Sequence, residues 1–167
     1  MTSHRPENSE PSLSHVDPSG NAWMVDVGSK PVSERRAVAV SRVSMSTAAA
    51  LAIRENSLKK GDALSVARIA AIQAVKLTPT LIPLCHVLPI DGVWVEHRWV
   101  SETVLEWQVT VRSTGKTGVE MEALTGASVA ALTTYDMIKS LDPTVEIGPI
   151  HLQSKSGGVR GDFEREK

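Results

Sequence analysis

The chain has 167 residues, 41% of them apolar and 22% charged, which is the size and composition of one ordinary globular domain. Its net charge of −1 argues against the broad basic surface that nucleic-acid binding needs, although a small anionic ligand is still compatible with it. A single cysteine fits a reducing cytoplasm, and no apolar run reaches the ~20 residues that cross a bilayer. We therefore expect a cytoplasmic protein that binds neither nucleic acid nor membrane.

The first 22 residues are polar and rich in Ser and Pro, and they lack the apolar middle of a signal peptide. This composition predicts a disordered N-terminal tail over residues 1–22. The patterned remainder predicts a single domain over residues 23–163, followed by a short C-terminal tail over 164–167. No internal repeat or second domain is evident.

The valine-rich run after the tail predicts a strand over about residues 35–45. Ser46 or Thr47 then has the side chain and the position of a helix N-cap. A second helix is expected to begin after Asp62, where apolar residues recur at helical spacing. The prolines at positions 79 and 83 are expected to break that helix.

Two segments with period-two alternation follow, over residues 92–100 and 102–112, and their short link predicts an antiparallel hairpin. The next pattern predicts a helix over about 119–141, which stops before Asp142-Pro143. A last strand is expected over 145–155, ahead of a Gly-rich, charged end.

The predicted order is β-α-β-β-α-β with the first helical segment split in two, which is typical of the ferredoxin-like α+β fold. In that fold helices cover one antiparallel sheet. Because the fold hosts many unrelated activities, function has to be argued from the site.

The stretch STGKTGVEMEAL, residues 113–124, resembles the end of a phosphate-binding P-loop. A Walker A loop needs a glycine five positions before Gly115, and that position holds Thr110, so the P-loop interpretation fails. Gly115 and Gly118 nevertheless permit close backbone approach, and the helix start beyond them offers free N–H groups to an anion. A plain strand-to-helix connection explains the same residues.

Charged pairs on the last predicted helix have two explanations each. Glu120 and Glu122 either complement the helix dipole or hydrogen-bond a ligand, and Met121 between them is more often a packing residue. Asp136 and Lys139 share a helix face, either as a surface ion pair or as an acid/base pair in a mostly apolar run.

The LIPLCH segment places Cys85 beside His86. Neighbouring side chains usually point apart, so the pair is weak evidence for a nucleophile. We interpret Cys85 instead as a small buried residue that fills space in the core. His86 fits either a buried structural histidine or a titrating ligand contact. The five histidines show no metal-binding spacing, so no metal site is expected.

Five segments together resemble one family closely, the cyclic pyranopterin monophosphate synthases, which are the C proteins of molybdenum cofactor biosynthesis. The segments are MVDVGSKP, KKGDALSVARIAAIQAVK, LIPLCH, STGKTGVEMEALTGASVAALTTYDMIK and IGPIHLQSKSGG. The resemblance covers about residues 23–163 in order. It departs from the family at Val87, where proline is usual, and at SGGVRGD in place of SGGKSGD.

The resemblance implies a phosphorus–oxygen lyase that converts (8S)-3',8-cyclo-7,8-dihydroguanosine 5'-triphosphate to cyclic pyranopterin monophosphate and pyrophosphate. It implies no required cofactor, although Mg²⁺ can accompany the triphosphate. It also implies a homohexamer, a trimer of dimers with active sites at a dimer interface.

Residue by residue, the resemblance also implies the site. Catalytic positions of the family correspond to Asp136, Lys60, Lys139 and His86. Substrate-binding positions correspond to Leu84, Cys85, His86, Thr117, Gly118, Glu120, Met121, Glu122 and Lys155.

Helix geometry independently favours an oligomer. Glu122 and Asp136 lie 14 positions apart on one predicted helix, or ~21 Å at 1.5 Å per residue. One ligand reaches both ends more easily if a two-fold interface pairs one end with the other end of a second copy. The alternative functions are a non-enzymatic nucleotide-binding regulatory module on the same fold, and a nucleotide hydrolase, which the missing P-loop glycine weakens.

Overall fold

The computed structural model describes residues 19–158 and 161–166. Most of the predicted disordered tail, residues 1–18, therefore lies outside the described residues. Within them, no helix is long and apolar enough to cross a membrane.

The elements follow the predicted β-α-β-β-α-β order, with the first helical segment split in two. They are β1 Ser33–Ser44, α1 Thr47–Arg54, α2 Ala63–Leu81, β2 Ile90–Trp99, β3 Val104–Gly115, α3 Glu120–Ile138, β4 Glu146–Ser156 and β5 Phe163–Glu164. All strand pairs are antiparallel, and the sheet order is β2-β3-β1-β4-β5. The predicted ferredoxin-like α+β fold is confirmed. The fifth strand was not predicted, and the expected domain boundary after residue 163 falls inside it.

Local caps begin the first two helices as their sequences predict. The Ser46 hydroxyl accepts a hydrogen bond from the Ala49 N–H at 3.3 Å, and Asp62 accepts one from the Ser65 N–H at 3.0 Å. The expected break at Pro79 was wrong, because α2 continues through it to Leu81. Two residues from the helix end, a proline with its helical φ removes only one late hydrogen bond.

Small residues let α2 and α3 approach each other and the sheet closely. The buried alanines of these two helices are Ala63, Ala67, Ala71, Ala74, Ala123, Ala127, Ala130 and Ala131. A Cβ added at Gly126 would lie 2.8 Å from Val75 Cγ2 and 3.0 Å from Val109 Cγ1, so three elements meet at this glycine. Trp107, fully buried, donates from Nε1 to Thr134 Oγ1 at 2.9 Å. This packing fixes α3 rigidly on the sheet.

The predicted alternation of β3 holds for its inward side chains but not for its outer face. Glu106 points away from the helices, yet it is buried, because Arg42 and Arg98 pair with it from the two flanking strands at 2.7 and 2.6 Å. Burial alone would raise the pKa of Glu106, but the hydrogen bonds from the two guanidinium groups outweigh it and hold the pKa below the usual range. Side chains on the outer face of a central strand are thus buried when long side chains from the two flanking strands cover them.

Replacing Gly126 with alanine should destabilise the fold, because the new methyl group overlaps Val75 and Val109. The steric cost of about 1–3 kcal/mol exceeds the gain of about 1 kcal/mol from better helix propensity. We expect a net loss of about 1 kcal/mol in the free energy of unfolding, measured by urea denaturation. Ser128→Ala, two positions further along the same helix, is the control and should change stability less. Equal or greater stability of Gly126→Ala would contradict this packing.

Candidate active site

A cleft of about 260 Å³ opens at the start of α3. The LIPLCH segment forms one side, the turn between β3 and α3 forms another, and the ends of β1 and β4 close it. All nine residues expected to bind substrate line this one cleft: Leu84, Cys85, His86, Thr117, Gly118, Glu120, Met121, Glu122 and Lys155. Residues from five separate parts of the chain converge here: residues 25–31, the start of β1, the LIPLCH segment, the β3–α3 turn and the end of β4.

Arg35 ties the cleft to the sheet. It lies in β1 opposite Ser113 of β3 and is only 8% exposed. Its Nε donates to the Gly115 carbonyl at 3.4 Å, and its terminal nitrogen donates to the Lys116 carbonyl at 3.3 Å. The guanidinium group therefore holds the β3–α3 turn while it faces the cleft.

The glycines after β4 permit a close approach to Arg35. Gly157 has a φ of +86°, and a Cβ there would overlap the Glu34 carbonyl oxygen. A Cβ at Gly158 would overlap the Arg35 guanidinium group. Side chains at either position would push the chain away from β1 and open the cleft wall.

Two carboxylates at the start of α3 face the cleft in different states. Glu120 pairs with Lys155 at 2.9 Å. Glu122 is only 3% exposed and has no ion pair within residues 19–158 and 161–166. Burial raises the pKa of Glu122, and the charge of Glu120 raises it further. A carboxyl group of this kind can hold a proton that a better-solvated one would release.

The thiol of Cys85 is half-buried in the same cleft. Burial raises its pKa first, and the nearby charge of Glu122 adds to the effect. Because the thiolate is the nucleophilic form, a raised pKa argues against Cys85 as an activated nucleophile. The sequence suggested a small buried filler, whereas the side chain is half-buried and lines the cleft.

Cationic side chains dominate the described lining of the cleft. They are Lys30, Arg35, Arg36, Lys116 and Lys155, against the two carboxylates Glu120 and Glu122. The sequence did not single out Lys30, Arg35, Arg36 or Lys116 as site residues. The signal that could have found them is register, because Ser33 pairs with Gly115 and brings the start of β1 beside the GKT turn.

Three more of the expected site residues meet at the opposite end of α3. Lys60 donates to the Asp136 carbonyl at 2.6 Å and to its carboxylate at 3.1 Å, and Lys139 reaches the other carboxylate oxygen at 2.7 Å. Hydrogen bonds from Lys139 first, and Lys60 second, hold the pKa of Asp136 below its usual range, while Asp136 raises the pKa of Lys139. We call these three residues the lysine–aspartate cluster.

One chain does not unite the two groups. His86 lies with the cleft, whereas the lysine–aspartate cluster lies about 14 residues, or ~21 Å, along α3 from Glu122. The cluster is about half exposed, with the Asp136 side chain at 54%. Of the four expected catalytic residues, three are therefore together and one is apart.

A metal centre has no evident donor set in the described ranges. No group of three or more His, Cys, Asp or Glu side chains there is placed to hold a metal ion. The cationic cleft is suited instead to hold several negatively charged oxygens, with carboxylates beside them to accept hydrogen bonds. Fold and site together define a ferredoxin-like domain with a cationic cleft.

Comparison with known proteins gives the family. The MoaC family model matches residues 24–158, and the chain belongs to the MoaC family. Similar proteins include the cyclic pyranopterin monophosphate synthase of Brevibacillus brevis, 50% identical over 153 residues, which span 92% of this chain and 96% of that protein. The enzyme of the same name from Rhodopirellula baltica is 47% identical over 94% of this chain and 95% of its own length. The one from Staphylococcus aureus is 48% identical over 92% and 96%.

Glu122→Gln should stabilise the protein at neutral pH. Burial raises the pKa of Glu122 above its unfolded value of about 4.3, so its ionisation costs stability as the pH rises through the folded pKa. A neutral glutamine avoids that cost. The melting temperature of the variant should exceed the wild-type value at pH 7–8, and the difference should vanish towards pH 4.

Glu120→Gln is the matched control, since Lys155 already compensates the Glu120 charge at 2.9 Å. It should give no comparable gain at pH 7–8. A Glu122→Gln difference that is absent at pH 8, or that grows as the pH falls, would show that the Glu122 carboxyl is not destabilised by burial.

Proposed function

We propose that the protein is a cyclic pyranopterin monophosphate synthase. It converts (8S)-3',8-cyclo-7,8-dihydroguanosine 5'-triphosphate to cyclic pyranopterin monophosphate and pyrophosphate, a phosphorus–oxygen lyase reaction in molybdenum cofactor biosynthesis. The observation that carries the proposal is the cationic cleft with two carboxylates, found in a chain about half identical to proteins of that name.

The cleft suits the two halves of such a substrate. Lys30 and Arg35 supply positive charge for triphosphate oxygens, for which charge-assisted hydrogen bonds are strong. Glu120 and Glu122, which line the same cleft, would accept hydrogen bonds from N–H groups of the guanine-derived ring. A buried acceptor left unpaired is costly, so these carboxylates would favour a ring that donates to them.

Release of pyrophosphate requires attack of a sugar hydroxyl on the α-phosphorus, with a base to take the hydroxyl proton and cations to stabilise the departing oxygens. We assign the base to Asp136. Its carboxylate is ionised at neutral pH and so can accept a proton. The two lysine contacts that lower its pKa make it a weaker base than a free aspartate. Lys60 and Lys139 would hold phosphate oxygens or return the proton, and His86 would bind a phosphate oxygen or relay a proton at the other side.

A second copy of the chain would bring the lysine–aspartate cluster to the cleft. The outer faces of α2 and α3 carry exposed apolar side chains, with Ile69 68% and Leu132 59% exposed, and Val66 and Leu77 also exposed. Such surfaces favour burial between subunits. We propose a dimer that pairs each cleft with its partner's cluster, assembled three times into a homohexamer.

No resident metal enters this proposal. A magnesium ion would arrive bound to the triphosphate, because the described side chains include no ready-made cage for it. We place the reaction in the cytoplasm, which the lone cysteine of the sequence fits.

Asp136→Asn should abolish most turnover, because the amide cannot accept the proton. We expect kcat to fall by about 10²–10⁴-fold, the usual contribution of a general base. Pyrophosphate release and the fluorescence of the oxidised pterin product measure it. Glu102→Gln, exposed in the β2–β3 turn, is the control. Near-normal turnover of Asp136→Asn would remove the assigned role, and wild-type binding without turnover would favour a nucleotide-binding module.

Mixing two inactive variants tests the shared site. Glu122→Gln loses the cleft carboxylate and Asp136→Asn loses the cluster base. If each site takes one group from each copy, mixed dimers contain one intact site. After unfolding and refolding together, activity should return to about a quarter of the wild-type value, as random pairing of two-fold dimers requires. Activity that stays at the sum of the separate variants would place both groups in sites within one chain.

A further inference from the structure

Residues 25–31, here called the N-terminal strap, form one wall of the cleft before β1 begins. Val25, Val27, Lys30 and Pro31 of this strap all line the cleft. The strap is folded on itself by two short turns. The Gly28 N–H donates to Asp26 Oδ1 at 2.7 Å, and the Lys30 N–H donates to the Val27 carbonyl at 3.1 Å.

Lys116 holds this strap in place. Its ammonium nitrogen donates to the Gly28 carbonyl at 2.6 Å, across 88 positions of sequence. Within residues 19–158 and 161–166, this is the one hydrogen bond that joins the strap to the rest of the protein. The anchor itself is firm, because the Lys116 carbonyl accepts a hydrogen bond from the buried Arg35.

We propose that Lys116 is a positioning residue, which fixes the strap so that Lys30 faces the cleft before substrate arrives. The inference rests on the proposed function for the identity of the substrate. A strap that Lys116 already holds in order does not have to be ordered during binding, which preserves binding free energy. The lysine of the GKT stretch thus acts on a main-chain carbonyl, where a P-loop lysine would act on a phosphate.

The two possible roles of Lys116, holding the strap and binding phosphate, have different physical consequences. An ammonium group has three donors, and the 2.6 Å bond to Gly28 commits one of them. If Lys116 acts through the strap, its loss removes the contribution of Lys30 as well. If it binds the triphosphate alone, its loss and the loss of Lys30 are separate events.

The first test is amide hydrogen exchange in the substrate-free protein. In Lys116→Met, exchange at the amides of Gly28 and Lys30 should accelerate about tenfold or more, because the strap loses its anchor. Lys116→Arg keeps a charged donor and should restore most of the protection. Lys76→Met, an exposed lysine on α2, is the control and should leave these amides unchanged.

The second test is a double-variant cycle on KM for the cyclic triphosphate. Lys116→Met should raise KM about tenfold, as expected for losing one hydrogen bond to a charged group, and should change kcat less. Adding Lys30→Met to it should raise KM little further. Multiplying effects of the two substitutions would show independent phosphate contacts, and unchanged exchange at Gly28 and Lys30 would show that Lys116 does not hold the strap. Either result overturns the proposal.

The two arms also separate this inference from the proposed function. Hydrogen exchange is measured without substrate, so it judges the anchoring of the strap even if the wild-type chain forms no pterin. In that event the proposed function fails, and the cycle is run on the Kd for inorganic triphosphate. Non-additive losses there still support the positioning role, and additive losses overturn it.

Discussion

The length and rigidity of α3 constrain everything else in this molecule. The helix has 19 residues and is therefore ~28 Å long. Alanines and Gly126 pack it against α2 and the sheet with no room to shift, so its two ends hold fixed positions. One end carries Glu120 and Glu122, and the other carries Asp136. In the proposed reaction, which uses both ends, a second copy of the chain would let one ligand contact both groups without any bending of this helix.

The pKa shifts of the carboxyl groups at the two ends of α3 have different physical causes. At the cleft, burial shifts the pKa of Glu122 upward, and solvent screens little of the effect. At the other end, the pKa of Asp136 is lowered by contacts with two lysines on an exposed surface. Water and salt weaken such contacts, so the lysine–aspartate cluster is a modest interaction in an isolated chain. Covering it with a partner would strengthen each hydrogen bond.

Local signals carried most of the fold. The caps at Ser46 and Asp62, and the inward-facing side chains of the hairpin, depend mainly on neighbours in sequence, so they were predicted correctly. The errors have non-local causes. The burial of Glu106 needed arginines from two other strands, and β5 formed because residues 163–164 pair with residues 154–155. Sequence pattern does not reveal such partners.

The candidate site likewise contains residues that the sequence indicates and residues that only the folded structure brings to the cleft. Family resemblance supplied the nine residues that line the cleft, while spacing alone had left each with a structural alternative. Neither source pointed to Lys30 or Arg35, which enter the cleft through the pairing of β1 with the end of β3. Lys116 was visible within GKT, but its contact with Gly28 joins segments that are 88 positions apart. Strand register and main-chain contacts, which sequence motifs do not show, therefore identify the remaining residues of the cleft.

Charged side chains of the cleft have partners within the protein itself, and these contacts affect how a ligand can enter. Lys155 binds Glu120, and Lys116 binds the Gly28 carbonyl, so two cations already have partners. An incoming triphosphate competes for Lys155, and each step in that exchange leaves Glu120 without its cation. An anionic ligand that took Lys155 but offered no N–H group would leave the Glu120 carboxylate unpaired beside Glu122. A ligand that presents phosphate to the lysine and ring N–H groups to the carboxylate would compensate both, so the ion pair would favour the proposed purine-derived triphosphate over simple polyphosphates.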